Sequence, residues 1–138
     1  MKLAIMQPYL FPYLGYFQLI NSVDLFVVYD DVQYIERGWI NRNNILLEGK
    51  SFAFSMPVKK GKRSQYISER FIGNDFQAFE KKFKETIRHA YKNAPHYINV
   101  FNIVSEILNL DNLDNIKVSN FISRSLRIIC DYLSIETK

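Results

Sequence analysis

The sequence predicts an α/β fold: a strand-helix-strand unit of a parallel, Rossmann-like sheet, then an antiparallel hairpin, then a helical C-terminal half. Three observations carry that expectation. Two short apolar runs bracket a segment of helical period near the N-terminus, a glycine-bearing loop joins two later apolar runs, and beyond Asp75 large apolar residues recur at spacings of three and four.

The first run, Leu3 to Met6, closes at Gln7-Pro8, and the second, Leu25 to Tyr29, closes at Asp30-Asp31. Both have the length and composition of buried strands. Between them, Pro12 suits the first turn of a helix, Tyr13, Phe17 and Ile20 share one face, and Asn21-Ser22 can end it. A strand-helix-strand crossover this short is the unit of a parallel sheet. Asn44 to Leu47 and Ser51 to Met56 then flank Glu48-Gly49-Lys50, where glycine supplies the positive φ a hairpin turn needs. Lys59 to Arg63 reads as a polar, basic loop. Asp75 is placed to cap a helix carrying Phe76, Phe79, Phe83, Ile87 and Tyr91 on one face, and Ala94-Pro95 breaks it. Tyr97, Phe101, Val104 and Leu108 mark a second helix; Val118, Phe121, Ile122, Leu126, Ile129 and Leu133 mark a third. No internal repeat or linker interrupts the chain, so a single domain over residues 1–138 is expected.

An apolar fraction of 48% supports a packed core and excludes the composition of disorder. The net charge of +4 is concentrated: residues 58–98 hold ten Lys and Arg against four Asp and Glu, while the segments on either side each sum to minus one. An anionic partner is therefore expected to meet the middle of the chain. Cys130 is the single cysteine, which rules out an intramolecular disulfide and a cysteine-based metal site, and it lies in an apolar helical pattern. Met1 to Met6 is too short for the apolar core of a signal peptide, and no run approaches the ~18 apolar residues of a membrane span. A soluble, cytoplasmic protein is the expectation. Nothing names a cofactor, and no metal site is expected.

Three clusters carry chemical information. The first runs from Gln7 through Pro8, Tyr9, Phe11, Gly15 and Tyr16, where the first strand hands over to the first helix; ligands of open parallel sheets bind beyond such strand ends. Gly15 costs about 1 kcal/mol relative to alanine in a helix, which points either to close approach of a ligand or to tight packing. The second, Asp30-Asp31 with Gln33 and Tyr34, follows the second strand on the same side of the sheet. It offers acceptors and donors for hydroxyls or amines, although neighbours on an extended chain point apart, so the two carboxylates are not expected to form a close dyad. A strand-ending turn is the alternative reading. The third, Trp39 with Asn41, Arg42 and Asn43, sets a flat aromatic face for a sugar beside an arginine fork for carboxylate or phosphate. If the topology holds, the three converge on one mouth.

The strings MQPYLFPYLGYFQLI, DLFVVYDDVQY and WINRNNI, followed by HAYKNAP from His89 to Pro95, resemble the WbqC-like protein family in order and spacing over essentially the whole chain. The resemblance implies a bacterial enzyme of surface-polysaccharide (O-antigen) synthesis that transfers an acyl or aminoacyl, glycyl-type group to an amino sugar or nucleotide-linked sugar. Family members are usually longer, which implies a domain incomplete at its C-terminus. Such chemistry needs a base, oxyanion donors and a place for the acyl donor. Asp30, Asp31 and His89 are the catalytic candidates. Gln7, Pro8, Tyr9, Phe11, Gly15, Tyr16, Gln33, Tyr34, Trp39, Asn41, Arg42 and Asn43 are the substrate-binding ones, and Lys59, Lys60 and Arg63 suit phosphate. No GxSxG elbow is present, so direct transfer is favoured over an acyl-enzyme. One alternative is a nucleotidyltransferase-like enzyme, in which Tyr16 would stand where a phosphate-polarising histidine is expected; another is a non-catalytic nucleotide-sugar-binding module. The expected partners are small molecules, a sugar or nucleotide-sugar and an acyl donor, and not nucleic acid, because the basic loop has no interleaved aromatics to stack bases.

Overall fold

The apolar run at the N-terminus forms strand β1 (Leu3–Met6), which pairs in parallel with β2 (Leu25–Val28) in the register Leu3↔Leu25 to Met6↔Val28. A computed structural model describes residues 1–110 and 112–138. Helix α1 (Leu14–Asn21) crosses between the two strands, burying Tyr16, Phe17 and Ile20. It starts two residues later than Pro12 suggests, because Tyr13 takes the cap position with extended backbone. The even positions of the sheet, Ala4, Met6, Phe26 and Val28, are buried or half-buried, whereas Leu3, Ile5, Leu25, Val27 and Tyr29 form an exposed apolar face. On the free edge of β2, the amide of Phe26 donates to Lys138 O, and Thr137 Oγ1 donates to Ile20 O and Val23 O.

The hairpin is β3 (Arg42–Leu47) with β4 (Lys50–Ser55), paired from Arg42↔Ser55 to Leu47↔Lys50. It begins two residues earlier than the alternation suggests, so Arg42 and Asn43 belong to the strand. Its loop is Glu48-Gly49 alone, both with positive φ (50° and 75°), as a type I′ turn requires. Residues between β4 and the helices are irregular, with a single 3₁₀ turn at Ile67–Glu69.

Helices α2 (Phe76–Tyr91), α3 (Tyr97–Leu108) and α4 (Val118–Tyr132) make up the C-terminal half, α2 packing on α3 and α3 on α4. Their buried faces follow the spacing of the sequence: Phe76, Phe83 and Ile87 from α2, Val104, Ile107 and Leu108 from α3, and Phe121, Ile122 and Leu126 from α4. Asp75 does occupy the cap position of α2, but its carboxylate makes no cap hydrogen bond; its carbonyl accepts from Phe79 instead. The element order matches the α/β expectation, with a parallel pair, a hairpin and a helical second half. No helix among the described residues is long and apolar enough to cross a membrane.

Candidate functional site

Backbone and side-chain hydrogen bonds stitch the three sequence clusters into one framework. The turn after β1 is held by Ile40 and by the start of β3: Leu10 N donates to Ile40 O (2.9 Å), and Asn43 Nδ2 donates to Leu10 O (3.3 Å) and Phe11 O (2.6 Å). Phe11 sits at φ 47°, a left-handed conformation that a non-glycine residue keeps only when its surroundings enforce it, and the Asn43 amide is part of that enforcement. Asn41 links the third cluster to the second, its Oδ1 accepting from Tyr34 Oη (2.9 Å) while its Nδ2 donates to Met56 O (2.7 Å). The second cluster in turn pairs with residues 63–68: Tyr34 N donates to Gln65 O, Gln33 Nε2 to Arg63 O, Ile67 N to Val32 O and Ser68 N to Asp30 O.

The side chains divide between different hollows. One, of about 410 Å³, is lined by Gln33, Tyr34, Ile35, Glu36, Arg37 and Arg63, joining the second cluster to the basic loop. Another, of about 190 Å³, has Phe11 and Asn43 on its wall among apolar residues of the hairpin, α2 and α3. The single mouth expected from the sheet topology is thus replaced by separate hollows. The reason is that Asn41 and Asn43 turn their amides inward onto backbone and Tyr34, pulling the third cluster into the scaffold. Trp39 stays 58% exposed with the Arg42 guanidinium 5.8 Å from its ring, and Arg42 Nη1 donates to Arg37 O.

Of the first cluster, Pro8 and Tyr16 are buried, while Gln7, Tyr9 and Gly15 are half-buried. Tyr16 donates its hydroxyl to Gln7 O (2.8 Å), and burial, with smaller contributions from Tyr9 and Cys130, pushes its phenol well above the usual range. Tyr16 therefore offers no group to a bound phosphate. At Gly15 a Cβ would lie 2.5 Å from Cε2 of the Tyr13 ring, so the space a side chain would fill is taken by a neighbour in the chain. Asp30 is half-buried and Asp31 exposed, as two neighbours pointing apart should be. His89 lies in the last turn of α2 with Nε2 3.2 Å from Glu48 Oε1 of the hairpin turn, not on the wall with Gln33 and Arg63. Lys59 is half-buried, and Lys60 and Arg63 are exposed. Cys130 is half-buried, and burial, helped by Asp131, raises its thiol pKa, which disfavours the thiolate that covalent catalysis would need.

One residue at the centre of this region escapes sequence reading. Arg70 is 4% exposed, its guanidinium carbon 4.5 Å from the centre of the Tyr34 ring, with Nη2 donating to Lys59 O (2.9 Å) and standing 4.0 Å from Glu36 Oε1. Burial raises the Tyr34 phenol pKa and Arg70 opposes that rise. The hint in the chain is a cation directly before the apolar pair Phe71-Ile72 and three residues after Ile67, the spacing of core positions.

Fold and site together define an α/β protein with a parallel strand pair and a separate polar hollow lined by Gln33, Tyr34, Glu36, Arg37 and Arg63. The WbqC-like protein family pattern matches residues 7–138, and the chain belongs to that family. It is 35% identical over 138 residues to the uncharacterized protein Rv1507c of Mycobacterium tuberculosis, the match covering 99% of this chain and 58% of that protein. The chain thus spans little more than half of that relative's length. No solved structure matches it.

Proposed function

We propose that this chain belongs to an enzyme of surface-polysaccharide synthesis that moves an acyl or aminoacyl group onto the amine of an amino sugar or nucleotide-linked sugar. The observation that carries the reading is the hollow of about 410 Å³ lined by Gln33, Tyr34, Arg37 and Arg63, whose volume lies within the roughly 300–1,000 Å³ of small-molecule sites. Amide, phenol and guanidinium groups suit hydroxyls and an anionic linkage. In this reading the substrate amine attacks the donor carbonyl, a C–N bond forms, and the bond from that carbon to the leaving group breaks. The amine proton passes to a carboxylate, for which Asp31 is the exposed candidate and Asp30 its half-buried neighbour. Trp39 and Arg42 would take a sugar face and its charge, with Lys59, Lys60 and Arg63 on phosphate. The segment from Gln7 to Tyr16 would act through Asn43, as scaffold.

A thermal-shift panel tests this, using a nucleotide-linked amino sugar, coenzyme A thioesters and ATP as probes. A ligand at a hundred times its Kd stabilises by about 2.7 kcal/mol. Stabilisation by the nucleotide-linked sugar is expected, with Asp31→Asn retaining it while losing turnover. A response to ATP alone would overturn the reading in favour of nucleotidyl transfer, and binding without turnover by any donor would leave a binding module.

A further inference from the structure

We infer that Arg70 forms the floor of a built site for a phosphate or diphosphate group, closed over in this structure by the Lys60-Gly61-Lys62 segment. The inference deepens the proposed function, on which it rests, by assigning the anionic part of the ligand to named groups. Arg70 is buried, yet its Nε and Nη1 are enclosed with no hydrogen-bond partner among the described residues. A guanidinium cannot shed its proton, so leaving its N–H groups unmet in the interior is costly, and a structure keeps such a group where a ligand completes it.

The surroundings fit an anion. A hollow of about 170 Å³ has Arg70 on its wall with Lys60, Gly61, Lys62, Gln65 and Glu69. A Cβ on Gly61 would lie 3.2 Å from Arg70 Nη1 and overlap Gln65 Oε1, so next to that nitrogen stand a residue without a side chain and the end of a flexible one. Gln65 Oε1 accepts from Lys62 N, a contact that an incoming phosphate oxygen can replace. Two carboxylates lie close: Glu36, 4.0 Å from Arg70 Nη2, and Glu69, whose Oε2 accepts from Tyr66 N. Lys60, Lys62, Arg63 and Arg70 outnumber them, leaving a positive excess.

The site also adjoins the larger hollow. Arg63 lines that hollow, and the Gln33 and Tyr34 bonds to Arg63 O and Gln65 O fix the loop between the two. A nucleotide-linked sugar can thus seat its sugar against Gln33 and Tyr34 and its diphosphate against the lysines and Arg70.

Isothermal titration of the full chain with inorganic pyrophosphate, and separately with UDP-N-acetylglucosamine, tests the assignment. Saturable pyrophosphate binding is expected, weakened about ten-fold or more in Arg70→Lys, which keeps charge but loses the planar donors, and in Lys60→Ser/Lys62→Ser. The lysine pair is exposed, so its ligand-free Tm should match the parent, and it decides the matter if Arg70→Lys fails to fold. Absence of pyrophosphate binding in the parent chain, or equal affinity in the lysine variant, overturns the site. Nucleotide-sugar binding indifferent to these substitutions overturns it while the transferase reading stands. Pyrophosphate binding lost in the variants, with no binding of UDP-N-acetylglucosamine, supports the anion site and overturns its assignment to the diphosphate of that nucleotide-sugar.

Discussion

Asn43 shows how a residue suited to contacting ligand can be committed to the scaffold. Its amide meets the carbonyls of Leu10 and Phe11, the second of which belongs to a residue at φ 47°. Asn43→Ala leaves both carbonyls part-buried without a donor, and the expected cost is about 1–3 kcal/mol. Urea unfolding checks it: a lower midpoint at unchanged m is expected, and an unchanged midpoint would mean the turn holds itself. Tyr16 gives a pH signature. Its folded pKa is raised above the ordinary 10.0, chiefly by burial, so the folded state keeps a proton that the unfolded chain releases. The stabilisation is complete below about pH 10 and declines as pH rises from there toward the raised folded value. Unfolding free energies of Tyr16→Phe should therefore fall less steeply than the parent's above pH 10, and parallel alkaline limbs would contradict the assignment.

At the scale of elements, two glycines that local sequence leaves equivalent should behave oppositely. Gly15, in the first turn of α1, is crowded only by the ring of Tyr13, which is 70% exposed and free to swing away. Gly15→Ala is expected to be neutral or to stabilise by about 0.4–1 kcal/mol through the unfolded chain. Gly73 is buried, and a Cβ there would meet Pro57 Cβ at 3.0 Å and its carbonyl carbon at 3.1 Å. That contact is rigid, because Gly73 N also donates to Pro57 O, so Gly73→Ala should cost about 1–3 kcal/mol. Thermal unfolding of the two variants side by side checks the pair. The strands and helices were legible because period two and period 3.6 survive in the chain: Phe83 and Ile87 face the core as their spacing demands, and Gly49 supplies a positive φ. The stretch from Pro57 to Gly73 has no period, and its order comes from distant partners such as Phe71 with Lys117 and Val58 with Ile72. The role of Arg70 was hidden for the same reason, since its burial depends on Tyr34, far away in sequence. The amides of Asn41 and Asn43 were visible as hydrogen-bonding groups, but their acceptors were not.

For the whole molecule, the decisive feature is where the charge sits. Residues 58–98 carry the entire positive excess, and within them Lys60, Lys62 and Arg63 are exposed while Arg70 is buried beneath. Exposed charges attract an anion over a distance that salt shortens, from about 10 Å at 0.1 M to about 3 Å at 1 M, whereas a buried guanidinium acts at contact and is screened much less. Affinity for pyrophosphate should therefore fall about ten-fold or more as salt is raised, then level off at a residue of binding that belongs to Arg70. In Lys60→Ser/Lys62→Ser the same titration should start lower and run flatter, approaching the parent at high salt, because the two chains then differ only in charges the solvent has already masked. Parallel salt dependences would mean that the loop lysines do not act on the anion, and affinity that vanishes entirely at high salt would deny Arg70 its separate contribution.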